Sequence, residues 1–217
     1  LQNDREIVLT ALAQDGEMLE FVTEELQNDR EVVLTALAQD GQSLEFASEE
    51  LQNDREVVLT AVAQSPWALA YASRSLRDNR EFMLDVVAMK GQAVKYVSRR
   101  LRDDREVVLT AVKQDGWALM QDLPPHMCDD RKVVLAAVAQ EGRALRFASD
   151  ALRMDADVCN TAVGNHRKAL LYIPSEKRPV YLRLGPTEAH LMLRRMFNYM
   201  LPEDLLTMHI LPRCHAE

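Results

Sequence analysis

The sequence is short of several things at once. Of its 217 residues only seven are glycine, three are cysteine and two are tryptophan, and aromatic side chains make up 6% of the chain. So little glycine excludes collagen-like and glycine-rich low-complexity chains. Three cysteines, Cys128, Cys159 and Cys214, give no even framework and no CxxC spacing. That excludes a secreted disulfide scaffold and favours an intracellular, reducing compartment. No run approaches the ~18 consecutive apolar residues that a membrane-spanning helix needs, and the opening residues lack the charged-then-apolar plan of a signal peptide. Basic charge is scarce too: 26 Lys and Arg face 34 Asp and Glu, for a formal net charge of -8. General affinity for nucleic acid or anionic membranes needs a concentrated positive field, so neither is expected. The chain begins at Leu1, with no initiator Met and no cap ahead of it. Residues upstream are therefore expected to have been removed.

What the sequence has instead is repetition. LQNDREIVLTALAQDGEMLEFVTEE at 1–25 recurs almost unchanged at 26–50, and self-similarity at a fixed period marks a repeat array. Further copies start at Leu51, Leu76 and Leu101. One inserted residue near Pro124 and Pro125 moves the sixth start to Met127, and a decayed seventh starts at Leu152. Apolar residues make up 47% of the chain, ample for a continuous core.

Within a unit, position 3 is Asn or Asp (Asn28, Asn53, Asp78) and position 6 is usually Glu (Glu31, Glu56, Glu81). That spacing reads as a capping box, so a helix is expected to start at position 3. Apolar residues at positions 7, 8, 9, 11 and 12, such as Val32, Val33, Leu34, Ala36 and Leu37, form a band suited to a helix buried on two sides. Glycine at position 16 (Gly16, Gly41, Gly91, Gly116, Gly142) is the expected left-handed stop. A second, shorter helix follows with an apolar residue at 19, an aromatic at 21 and a small or β-branched residue at 22, as in Leu44, Phe46 and Ala47.

Two short helices cannot bury their faces alone, and stacking supplies the missing contacts. The expectation is an all-α solenoid of about seven 25-residue helix-turn-helix repeats over 1–176, with a helical C-terminal cap over 177–217. Pro66, standing in for the glycine in the third unit, suits the first turn of the second helix. The fifth unit loses its pattern through Leu123, Pro124, Pro125 and His126, so a bend is expected there. In the last segment, helices are expected from Pro186 to Leu201 and from Pro202 to Ile210.

Arg recurs at position 5 in Arg5, Arg30, Arg55, Arg80, Arg105 and Arg131. Such a row is either an anion-binding stripe or a structural ladder paired with acids at positions 3, 4, 24 or 25, such as Asp29 or Glu49. The recurrence of the acids favours the ladder. Charge is uneven along the array: one basic residue faces seven acidic in 1–25 and one faces six in 26–50, whereas six face three in 76–100. The basic region gathers Arg74, Arg77, Lys95, Arg99 and Arg100, with Trp67 and Tyr71 beside it as apolar anchors. These seven residues are the expected partner-binding set, although a solvated face is the commoner meaning of such a run. His126 with Cys128, and His209 with Cys214 and His215, offer too few ligands for a structural zinc site. No phosphate loop, GxSxG, HExxH or Cys–His pair in a catalytic context is present. No catalytic, cofactor or metal residues are therefore assigned.

The stretches NDREVVLTALAQDGQSLEFASEEL at 28–51 and DDREVVLTAVKQDGWALM at 103–120 resemble the repeat family known as domain of unknown function 4116, over roughly residues 1–173. The resemblance implies the helical repeat fold and brings no activity and no catalytic residues. LPEDLLTMHIL at 201–211 resembles the opening of an F-box, which would imply a ubiquitin-ligase adaptor. The expected function is a non-catalytic protein-interaction or scaffold module, a subunit or part of a larger assembly with protein partners. Two alternatives stand beside it: an accessory repeat region of a larger enzyme, and an anion or RNA binder acting through the basic fourth unit.

Overall fold

Seven long α-helices recur along the chain, at Arg5–Leu12, Arg30–Gln39, Arg55–Gln64, Arg80–Met89, Arg105–Gln114, Arg131–Gln140 and Ala156–Asn165. The structure is a computed structural model and describes residues 4–121 and 123–178. Every long helix starts for the same reason. The residue at position 4 lies in extended backbone and its side chain accepts from free N–H groups of the first turn, as Asp29 does from Glu31 and Val32 and Asn79 from Phe82; this supplies the cap that an open helix end requires. The long helix ends at position 15, also extended: Asp40 has φ -137° and ψ 114°. The Asp40 carboxylate then accepts from the N–H of Gln42 and caps the next element, a 3-10 helix at Gly41–Phe46. A short α-helix, Glu49–Gln52, closes the unit and is capped by Ser48.

Each unit thus holds three elements where two were expected, and three local expectations need correction. The helix cap sits at position 4, one residue later than expected. Position 3 instead serves the short helices: Asn28 accepts from the Ser48 hydroxyl at 2.5 Å, and Asn53 likewise from Ser73. The backbone reinforces this tie, because Ser48 N–H donates to the Gln27 carbonyl at 3.0 Å and Ser73 N–H to that of Gln52 at 2.9 Å. Successive short helices are therefore linked end to end. The Glu at position 6 does not fold back into a capping box; it faces the preceding unit.

Glycine at position 16 is the third correction. None of the described glycines has the left-handed backbone expected of a helix stop. A Cβ at Gly41 would lie 2.3 Å from the carbonyl oxygen of Ala61, and one at Gly142 would lie 2.2 Å from that of Ala162. In both cases the oxygen belongs to the next unit. Glycine is there so that neighbours can approach backbone to backbone, and the stop itself is made by the extended residue before it.

That approach closes the core. Val32, Val33, Ala36, Leu37 and Leu44 are fully inaccessible, and long helix packs on long helix and 3-10 helix on 3-10 helix along the series. Each such Val or Leu contributes ~1.5–3 kcal/mol on burial. Pro66 opens the 3-10 helix Pro66–Ala70 of unit three at its first position, where its missing N–H costs nothing. With its ring in place of the glycine hydrogen, the long helices of units three and four make the loosest of the helix-to-helix junctions. At unit five Arg105–Gln114 and Arg131–Gln140 stay closely packed, and the extra residue falls before the short helix Pro125–Cys128. The chain divides into two bodies, Leu1–Ile173 and Pro174–Glu217. The helices expected between Pro186 and Ile210 lie outside the described residues.

Two substitutions test the packing. Gly41→Ala is expected to lower stability by ~1–3 kcal/mol through overpacking. Gly164→Ala, in the last turn of the seventh long helix with nothing within 4 Å of its added Cβ, is expected to raise it by ~0.5–1 kcal/mol. Equal effects in chemical denaturation would remove the close-approach account. Ser43 is 1% exposed and its hydroxyl has no hydrogen-bond partner, while Ala68, Ala93 and Ala118 fill the same position in later units. Ser43→Ala is expected to raise the denaturation midpoint by an amount worth ~1 kcal/mol, since it removes a buried unpaired polar group.

Candidate functional site

The position-5 arginines stand on the first turn of six long helices and all reach forward. Arg30 donates to Asp54 at 2.6 Å and to Glu56 at 2.5 Å. Arg80 donates to Asp104 at 2.7 Å and to Glu106 at 2.5 Å, and Arg5 and Arg131 repeat the pattern with Asp29 and Glu31 and with Asp155 and Asp157. The partners are the acids at positions 4 and 6 of the next unit; those at positions 24 and 25, Glu49 among them, are not used. Two rungs differ because their acceptors differ. Unit four has the neutral Asn79 at position 4, and Arg55 pairs with Asp85. Unit six has Lys132 at position 6, and Arg105 takes both oxygens of Asp130.

The row is therefore a ladder in which every guanidinium is already bound to carboxylate. A shallow groove lined by Arg5, Asp29, Arg30 and Glu31 runs beside it, but its cations are not free to hold an anion. The Arg side chains are 41–47% exposed, so each pair contributes only ~0.2–1 kcal/mol. The hydrogen bond from Arg105 holds the Asp130 carboxyl at about 2, against partial burial that pushes it up. Arg5 and Arg80 hold Asp29 and Asp104 below the usual carboxylate range in the same way.

The residues of the basic region separate into distinct roles. Lys95 and Trp67 meet: the ammonium lies 5.1 Å from the Trp67 ring and 5.6 Å from that of Tyr96. Trp67 itself stands edge-on to Tyr96 at 6.0 Å and is 53% exposed. Tyr71 is half-buried, and the carboxylate of Glu45 from the preceding unit raises its pKa. Arg74 and Arg99 are exposed on the first turns of the short helices Arg74–Arg77 and Arg99–Arg102. Arg100 is engaged, donating to the Asp78 carboxylate at 3.2 Å and to the Asp78 carbonyl at 2.8 Å. Arg77 faces inward at position 2, the place from which Gln52 donates to the carbonyls of Leu44, Glu45 and Ala47. Its Nε is buried without a partner.

A second cluster of the same construction escaped the sequence reading. Trp117 stands edge-on to Phe147 at 6.4 Å, with the Arg143 guanidinium 4.9 Å above Trp117 and that of Arg146 4.9 Å above Phe147; Arg143 also donates to both oxygens of Glu141, at 3.0 and 3.1 Å. Arg146 also lies 5.8 Å over Tyr172. Its signal was present: Trp at position 17 in units three and five is followed by an aromatic at position 21 of the next unit. Cations held over exposed ring faces such as that of Trp67 gain ~0.5–1 kcal/mol, and the 3-10 helices present both clusters on one row.

His126 lies 3.3 Å from Asp103, and among the described residues no three metal-ligating side chains gather. His209, Cys214 and His215 lie outside the described residues, as does the LPEDLLTMHIL stretch. Among the described residues no helix is long and apolar enough to cross a membrane.

The fold and its ladder define an all-α repeat solenoid of three-element units. The chain belongs to the family of the domain of unknown function DUF4116, whose model matches residues 4–52, 29–77, 79–128 and 130–176. No curated protein and no solved structure matches it.

The ladder makes stability depend on pH. Asp130 titrates at about 2 in the folded chain and at ~3.9 when unfolded. The stability it confers is therefore complete above ~pH 5 and is lost as pH falls from there toward 2. Urea melts across that range are expected to show a steep acid limb that flattens in Arg105→Gln, with a loss of at most ~1 kcal/mol near neutral pH. Parallel limbs for the two proteins would refute the coupling.

Proposed function

We propose that this array is a non-catalytic protein-interaction scaffold that binds an acidic segment of a partner protein along the 3-10 helix row of units three to seven. The observation carrying this reading is the pair of cation–aromatic clusters, whose cations without a carboxylate partner among the described residues are Lys95, over Trp67 and Tyr96, and Arg146, over Phe147 and Tyr172. Trp and Arg are the side chains that most often anchor interfaces. The long-helix side is a poorer surface for a charged partner, because the ladder has neutralised its arginines. Arg74 and Arg99, exposed at the neighbouring edge, add to the positive field that would steer an acidic chain and raise its association rate.

The same geometry would stack unpaired bases, and the test separates the two readings. Binding of a fluorescein-labelled polyglutamate peptide and of an oligouridine is compared between the wild-type chain and the triple variant Arg74→Glu, Lys95→Glu, Arg99→Glu. The peptide is expected to bind the wild-type chain and to lose at least ~10-fold in affinity in the variant, which stays folded with a melting midpoint lowered by no more than the equivalent of the ~1 kcal/mol that the exposed Lys95–ring contact supplies. Preference for the oligouridine, with a steep salt dependence, would replace the protein-binding reading by a nucleic-acid one. Peptide binding unaffected by the triple variant would dismiss this row as the interface.

A further inference from the structure

Every junction in the array has a giving and a receiving side. The giving unit supplies Arg at position 5 and, in most junctions, glycine at position 16. In four of the six junctions the receiving unit supplies acids at positions 4 and 6 and the carbonyl at position 11, as Asp155, Asp157 and Ala162 do for Arg131 and Gly142. Position 14 of the receiving unit adds a side-chain acceptor for the glycine N–H: Gln114 for Gly91 at 2.6 Å and Asn165 for Gly142 at 2.9 Å.

The two ends of the array differ in which half they carry. Unit seven has the receiving half only: its position 5 is Ala156 and its position 16 is Arg167. Unit one has a complete receiving half that no described residue covers as the later units are covered. Asp4, Glu6 and Gln14 stand at the acceptor positions, and among the described residues no cation pairs with Asp4 or Glu6. Ile7 is 47% and Phe21 57% exposed, whereas Val32, the counterpart of Ile7 in unit two, is fully buried.

We propose that this leading face of unit one is a docking site for one further repeat unit of the same kind, one that brings arginine at its position 5 and glycine at its position 16, and that unit seven terminates stacking in the other direction. The occupant follows from the four internal junctions made by Arg5, Arg30, Arg80 and Arg131, in which the acids at positions 4 and 6 take the arginine and the position-11 carbonyl lies against the glycine. It is not unit seven of a second copy, because that unit lacks both. Consistent with this, the junction whose position 16 is Pro66 is the loosest of the six. Arg167 puts a Cβ there with no arginine at position 5 to compensate. The docking face is separate from the row in the proposed function, so either can fail alone.

The test joins a copy of residues 26–50 directly ahead of Leu1 in the full chain. The graft is expected to raise the melting midpoint by at least ~4 °C and to slow hydrogen exchange of amides between Ile7 and Phe21 by at least ~10-fold. The same graft with its copies of Arg30 and Gly41 changed to Ala and Val is expected to lose both effects. An unmutated graft that leaves exchange in unit one unchanged would overturn the proposal. The same copy inserted between Glu176 and Lys177 is expected to give no shift unless unit seven also carries Ala156→Arg and Arg167→Gly. An equal gain at both ends without those changes would overturn the assigned direction. Sedimentation of the ungrafted chain completes the test: a dimer dispersed by Asp4→Lys with Glu6→Lys would show that a second copy takes the face and would also overturn it.

Discussion

A carbonyl oxygen 2.2–2.5 Å from where a side chain would begin, repeated from glycine to glycine, sets how closely one unit can lie against the next. Positions 7, 8, 11 and 12 are sealed from water because that spacing is short; the 3-10 helices meet because it is constant. Only at such a spacing can a position-5 guanidinium reach two carboxylates of the following unit. At the junction after Pro66 the long helices make their loosest contact, and there Asn79 leaves Arg55 to pair with Asp85. Packing of this kind couples each unit to its neighbours and to little else, so stability accumulates junction by junction.

The ladder has a functional side effect. An acidic chain with a regular arginine row invites reading that row as a ligand site, yet its charges are spent within the array. What is left for a partner is decided by the units that depart from the consensus. Glutamates occupy the 3-10 row of units one and two, at Glu17, Glu20 and Glu45, whereas Lys95, Arg143 and Arg146 occupy it further on. The near-constant interior holds the stack, and the 3-10 row is where the units of this chain differ most in charge.

Period, helix content and the existence of an acid-paired arginine row were legible in the sequence because each is written many times over. The errors fall where two residues in tandem can both do a job, or where the reason lies in another unit. Asn28 and Asp29 are both good caps; only the Ser48 hydroxyl, twenty residues on, shows that the first is needed elsewhere. Glycine after a helix has a familiar local meaning, and nothing inside one unit reveals the Ala61 carbonyl pressing on Gly41. The basic region was visible as composition, but composition does not say that Arg77 turns inward and Arg100 is held by Asp78 while Lys95 stays on a ring. Pairing position 17 of one unit with position 21 of the next would have found both aromatic clusters, and needed the register between neighbours.

Units one and two are almost the same sequence, and an interface that fits one fits the other. While the chain is being made, a unit can therefore dock on the wrong neighbour, or on that of another molecule, with no immediate loss, the usual route to swapped assemblies in tandem repeats. The rungs that break the pattern work against this. Arg55 finds Asp85 only in unit four, and Arg105 finds the paired oxygens of Asp130 without a glutamate beside them only in unit six. These irregularities act as address labels that let an otherwise uniform array count its own units.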